Sequence, residues 1–290
     1  MIAILGPITV FSVMNVVVKI VRVPALTFTF YRLALGAVLM LGVLWVAGRR
    51  PSWAIIRRSI PSGVLFGLNL VFFFSAIKRT SVADVLILAA LQPALTLIVA
   101  GPLFGERVTA FEVFWTGISL GGVGLVILGS SGTPAWSLVG DLLAFGALFV
   151  WTTYWLLSKR VRESVPAIEY MTTVTVVAAV CVTPVWLLSG QAGGMRWQDW
   201  LWILMFVAGA QAGHSILAWS HEQIDVSISS LLTLVEPVIA AVAALIFLGE
   251  PLPALSIAGG LVAIIAVGAV VHRATRRAED DAVAPEVAPA

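Results

Sequence analysis

The chain has 290 residues, 60% of them hydrophobic and only 11% charged, where an ordinary soluble domain carries about 25% charged residues. A water-bounded fold of this size cannot hide so large an apolar share, because polar side chains must cover its outside, so lipid does the covering. The same numbers exclude a disordered chain, the lone Cys181 excludes an internal disulfide scaffold, and a net charge of +2 scattered between apolar runs forms no phosphate-binding face, so no nucleic-acid partner is expected.

A hydrocarbon core about 30 Å thick takes roughly 20 apolar residues of helix to cross. In chain order such runs fall at 2–20, 25–47, 60–77, 82–103, 110–129, 138–158, 167–189, 198–220, 226–248 and 253–272. The expected fold class is therefore an all-α integral membrane protein with ten transmembrane helices. Breaks such as Arg49-Arg50-Pro51, Gly105-Glu106-Arg107 and Gly249-Glu250-Pro251 separate the runs, and the links are too short to hold a soluble domain. The first run lacks a basic segment ahead of it and is kept as a helix rather than a cleaved leader. Residues 273–290, with Arg276-Arg277 and Glu279-Asp280-Asp281, are expected to form a disordered cytoplasmic tail.

Cytoplasmic loops keep the excess of Lys and Arg. With the N-terminus inside, Arg49, Arg50, Arg57, Arg58, Arg107, Lys159, Arg160, Arg162, Arg273, Arg276 and Arg277 lie inside, against Lys19, Arg22, Lys78, Arg79 and Arg196 outside. Both termini are thus expected in the cytoplasm, with the protein multi-pass in the cell membrane.

An internal repeat organises the spans. Residues 82–126 laid over 226–270, an offset of 144, bring Val82 onto Val226, Pro93 onto Pro237, Ala100 onto Ala244, Gly105-Glu106 onto Gly249-Glu250 and Gly124 onto Gly268, with Gln92 meeting Glu236. The matched pieces are spans four and five and spans nine and ten, so the unit is five helices, 1–130 and 138–272. An odd number of spans makes two such units in series face opposite ways across the bilayer, the inverted-repeat plan of many secondary transporters.

Two five-helix units carrying LQPALTLIVAGPLFGE at 91–106 and VEPVIAAVAALIFLGE at 235–250 resemble the EamA family of the drug/metabolite transporter superfamily. Tyr31-Arg32 in the second span and ALFVWTTYWLLSKR at 147–160 fit the same pattern, and the resemblance runs from about residue 2 to 272. It implies movement of small metabolites, amino acids or drugs, often driven by an ion gradient, through a site lined by helices one, three, four, six, eight and nine. One departure is Phe11-Ser12, where the family commonly has Trp-Gly or Trp-Ser.

Charged side chains at mid-bilayer are costly and must face protein or water. Glu236, halfway along the ninth span and just before Pro237, shares a polar helical face with Ser229 and Thr233. Two readings stand side by side: hydrogen-bonding glue between helices, or a direct role with substrate or a coupling proton. In the eighth span Gln211, His214 and His221 share a face. A His214–Glu236 pair would suit a coupling proton, with a neutral, structurally bonded histidine as the plainer reading. Asn15, Asn69 and Gln92 are buried amides of the first half, and Trp151 with Tyr154 offers an aromatic wall or simple lipid-facing packing. Asp84 reads as a helix cap, and Arg32 as a residue near the outer end of its span that snorkels or pairs with an acid. Gly117 and Gly121 form GxxxG, and Gly259 with Ala263 a small-xxx-small pair, close-packing signals that leave monomer and homodimer both open.

The candidate substrate site is thus Asn15, Asn69, Gln92, Trp151, Tyr154, Gln211, His214 and Glu236, with Glu236 and His214 as proton carriers. No HExxH, CxxC or carboxylate cluster predicts a metal, and no cofactor is expected. Without a P-loop the chain has no site for direct use of ATP. The function expected is alternating-access export of small organic solutes. The rival reading is a membrane enzyme acting on a lipid-soluble substrate, for which GxSxG, HExxH and paired aspartates are missing. A channel would show repeated polar rings from several subunits rather than an internal two-fold repeat.

Overall fold

The computed structural model describes residues 2–79, 85, 88–105, 108–130, 137–193, 195–224, 226–248 and 253–283. Its helices are α1 (Ile2–Ile20), α2 (Ala25–Val46), α3 (Trp53–Ile77), α4 (Gln92–Phe104), α5 (Ala110–Ser130), α6 (Leu138–Arg162), α7 (Ala167–Leu188), α8 (Trp197–Gln223), α9 (Val226–Leu232), α10 (Glu236–Leu248) and α11 (Ala254–Val283). A 3₁₀ turn, Thr233–Val235, joins α9 to α10. Among the described residues, α2, α3, α6, α7 and α8 are long and apolar enough to cross a membrane unaided, with shorter apolar stretches in α1, α5 and α11.

Local chemistry sets the ends. Ser52 and Ser137 each accept a hydrogen bond, at 3.3 Å, from a backbone N–H three residues on and so cap α3 and α6. The helices α2 and α7 are built alike: each follows a proline, Pro24 or Pro166, and each gives way to a glycine of positive φ, Gly48 at 63° and Gly190 at 69°.

The ninth run is not one continuous helix. A proline has no N–H to offer the carbonyl four residues back, so the Thr233 carbonyl accepts the Glu236 N–H in place of one from Pro237, and the chain there tightens into the 3₁₀ turn before α10 begins at Glu236. Pro93 acts likewise in the first half: residues 90 and 91 form a turn and α4 begins at Gln92. The two breaks fall at the same point of the repeat.

Packing follows the repeat too. The most extensive partnerships are α5 with α11, α3 with α6, α3 with α7, α2 with α7 and α1 with α8. Exchange of the two five-helix units carries α5–α11 and α2–α7 into themselves and turns α3–α6 into α1–α8. It also maps α3–α7 onto α2–α8 and α4–α6 onto α1–α10, all of which are observed contacts. Small residues permit the close crossings. A Cβ on Gly122 would lie 2.7 Å from the Gly259 carbonyl and 2.8 Å from the Ala263 amide, while one on Gly117 or Gly121 would meet nothing within 4 Å. The α5–α11 seam therefore runs through Gly122, not through the GxxxG face.

The exterior is apolar, unlike that of a soluble fold, and several buried hydroxyls are satisfied within their own helices. Trp45, Val46, Ile98 and Leu188 are exposed on the outside, while Ser12, Thr29, Ser59, Thr96 and Thr175 are buried. Each of those hydroxyls donates to the carbonyl four residues before it, which satisfies it where no water is available.

Two boundaries differ from expectation. Helix α3 starts at Trp53 rather than at 60, because the exposed Arg57 and Arg58 ride on its first turns. The tail expected at 273–290 continues as helix to Val283; Ala, Arg and Glu are good helix formers and extend a helix already nucleated in the bundle.

Candidate functional site

A cavity of about 160 Å³ lies at the centre of the bundle, room for on the order of ten waters or one small solute. Its walls come from both halves: Phe11 and Met14 of α1, Leu70 and Phe74 of α3, Ala144 and Leu148 of α6, and Phe206 and Ala210 of α8. The polar groups reaching it are Arg32, Asn69, Gln92, His214, Thr233 and Glu236.

Gln92 and Glu236 arrive because each is the first residue of a half-helix, α4 or α10, placed there by the following proline. Thr233, in the turn ahead of Glu236, gives its one proton to the Ser230 carbonyl at 2.6 Å, and its hydroxyl stands 3.5 Å from Gln92 Oε1, so the two breaks lie side by side. Ser12 of α1 shares its one proton between the Ile8 carbonyl at 2.8 Å and the Glu236 carbonyl at 3.1 Å, which sets α1 against the start of α10. A carboxylate in the first turn of a helix is favoured by the exposed N–H groups there, which suits Glu236, half-buried at the cavity wall.

Asn69 donates from Nδ2 to the Ala147 carbonyl at 3.0 Å, which ties α3 to α6 beside the cavity. Trp151 is half-buried on the wall. Tyr154 is not on it: its ring stacks against Trp151 at 5.1 Å and its hydroxyl meets Met171 Sδ at 3.8 Å. Gln211 also sits away from the wall. It donates to Thr175 at 3.0 Å, and its Oε1 would be 2.9 Å from a Cβ on Gly36, so it fills the junction of α2, α7 and α8. His221 is buried against Trp155 and shares a 2.9 Å hydrogen bond with Ser158. Asn15 and Asp84 fall outside the residues whose side chains are described.

Arg32 is the wall residue that sequence reasoning misplaced. It neither snorkels nor pairs with an acid among the described residues. It is 6% exposed, and Nη2 lies 2.7 Å from His214 Nε2. At about 1.5 Å per residue it lies two turns into α2, whose own N-terminus is buried and bonded to Gln191. The side chain therefore has no route to head groups at that end of the span and faces the central cavity instead. A guanidinium only donates, so Nε2 is the acceptor and His214 carries its proton on Nδ1. His214, expected to pair with Glu236, places its one described hydrogen bond on Arg32 instead. The signal that could have found this was the arginine itself, a charge inside an apolar run with an unassigned partner.

Fold and cavity together define a helical membrane protein built around a solute-sized central chamber. The EamA-like transporter family matches residues 1–128 and again 138–271, so the chain belongs to that family. Curated relatives include the pseudopaline exporter CntI from two strains of Pseudomonas aeruginosa, 33% identical over 111 residues that span 36% of this chain and 37% of the relative. A protein of known crystal structure shares the fold with a TM-score of 0.78 over 94% of this chain and 95% of its own, at 20% identity.

Proposed function

We propose that this chain is a secondary transporter that exports small organic solutes by alternating access. The single observation that carries the reading is the pair of helix breaks at Gln92 and Glu236, at one point of the repeat, meeting at one cavity. Discontinuous helices at the interface of inverted repeats are where secondary transporters bind substrate, and exchange of the two halves' conformations opens the site to either side. The ten spans then form two inverted five-helix units with both termini cytoplasmic. Likeness to an exporter over a third of the chain supports outward direction.

In this reading Asn69, Gln92, Trp151, His214 and Glu236 contact the solute, while Tyr154 and Gln211 hold those groups in position. Glu236 carries the coupling proton. A second proton on His214 would set two donors face to face with Arg32, which leaves His214 to binding.

The test is a panel of metabolites and drugs in proteoliposomes, with and without a pH gradient. At least one solute should move faster with the gradient than without it. Movement of none under either condition would overturn the transporter reading. Cysteine labelling in the links 131–137 and 163–166 should place them outside and inside respectively.

A further inference from the structure

A charge buried in a membrane protein is normally matched by an opposite charge. The ion pairs among the described residues, Arg49–Glu169, Arg162–Glu222 and Arg196–Asp199, follow that rule. Arg32 does not. No described carboxylate lies within ion-pairing reach of it, and of the five N–H donors of its guanidinium the His214 contact uses one. Among the described residues its buried Nε and Nη1 have no hydrogen-bond partner, and neither has Nδ1 of His214, the nitrogen that carries the proton.

The described groups packed directly against the two side chains are ring faces, which offer no carboxylate or carbonyl acceptor, although Glu236 lies on the same cavity lining. The guanidinium carbon sits 5.5 Å from the Phe66 ring centre and 5.4 Å from that of Phe206, and the Phe11 ring lies 4.5 Å from the His214 imidazole. These faces brace the two side chains. Both Arg32 and His214 line the central cavity. One corner of the chamber is thus all donor, carries one positive charge and is walled by aromatic rings, while Leu70, Phe73 and Phe74 make the adjoining wall apolar.

We infer that this corner binds the carboxylate of the transported solute, with the Arg32 guanidinium and the His214 Nδ1–H as its donors. The inference rests on the transporter reading and adds the substrate class to it: a solute with one carboxylate and an organic body, whether a simple organic acid or an amino acid. The single charge of the corner matches a monoanion, and the guanidinium fork matches the planar carboxylate. The apolar wall accommodates the rest of the molecule.

Binding can be read without knowing the natural solute. The purified full chain in detergent is titrated with benzoate, with its neutral isostere benzamide, with glycine, and with chloride at matched ionic strength, by thermal melting and calorimetry. Benzoate should bind saturably and at least about tenfold more tightly than benzamide, as expected for loss of one or two charge-assisted hydrogen bonds. Arg32→Gln should abolish the preference and Arg32→Lys should weaken it. Equal binding of benzoate and benzamide, stabilisation by chloride alone, or an unchanged preference in Arg32→Gln would each overturn the inference. The wild-type comparison decides the matter even if Arg32→Gln fails to fold. Binding of glycine as well as benzoate would extend the class to amino acids, and benzoate alone would confine it to acids without an amine.

The two readings fail separately. Carboxylate binding by a protein that moves no solute would sink the transporter reading and leave the corner standing. Transport of neutral solutes with no carboxylate preference would do the reverse.

Discussion

Gln92 and Glu236 occupy equivalent places in the two halves, and they differ in one respect that matters. Both open a half-helix ahead of a proline, and both reach the central cavity. Gln92 is neutral, buried, and within 3.5 Å of Thr96 and Thr233. Glu236 is ionisable and half-buried. The same offset of 144 sets Leu70 against His214, again an inert side chain opposite a chemically active one. The repeat supplies a scaffold with two-fold packing, while the chemistry placed on it is one-sided. Two carboxylates at the breaks would repel and one would stay protonated; one carboxylate facing one amide avoids that.

The largest effect should come from removing that asymmetry. Glu236→Gln makes the two breaks chemically equal, and gradient-driven transport in proteoliposomes should fall at least about 100-fold, the scale expected when the one ionisable group at the breaks is lost. Unchanged gradient dependence would remove Glu236 from the coupling step.

A smaller effect separates scaffold from chemistry. Gly122→Val drives a side chain into the backbone of α11 and should cost about 1–3 kcal/mol of stability, read as a lower melting temperature in detergent. Gly117→Val, one turn away on the open face, should stay within about 0.5 kcal/mol of the parent. Equal losses at both positions would show that the GxxxG face is packed after all.

The smallest change should come from the neutral break. Gln92→Ala removes neutral hydrogen bonds and should slow transport by roughly 2–10-fold, well short of Glu236→Gln, in the same vesicle assay. A loss as large as that of Glu236→Gln would mean the halves are functionally alike despite the difference in charge.

Much of the fold was legible because its signals are one-dimensional. Apolar run length marks helices, and the repeat offset sets Gln92 against Glu236, but both spans read as single helices, and the breaks ahead of Pro93 and Pro237 come from the structure. What could not be read is rotation and depth. Trp151, Tyr154 and Trp155 sit on adjacent faces of α6, and only packing shows that Tyr154 turns back onto Met171 while its neighbours face the cavity. The GxxxG spacing of Gly117 and Gly121 gives no hint that Gly122 carries the seam. Arg32 was misjudged for the same reason. Its distance from the predicted end of the span suggested a route to head groups, but the segment around Gln191 closes that end.

Alternating access is the central claim, and one labelling experiment tests it most directly. In a Cys181→Ser background, Ala144→Cys places a single thiol on the cavity wall. A membrane-impermeant maleimide applied to either face of sealed vesicles should label it from both sides, with the ratio shifting when a pH gradient is imposed. Labelling from one face only, whatever the gradient, would contradict alternating access.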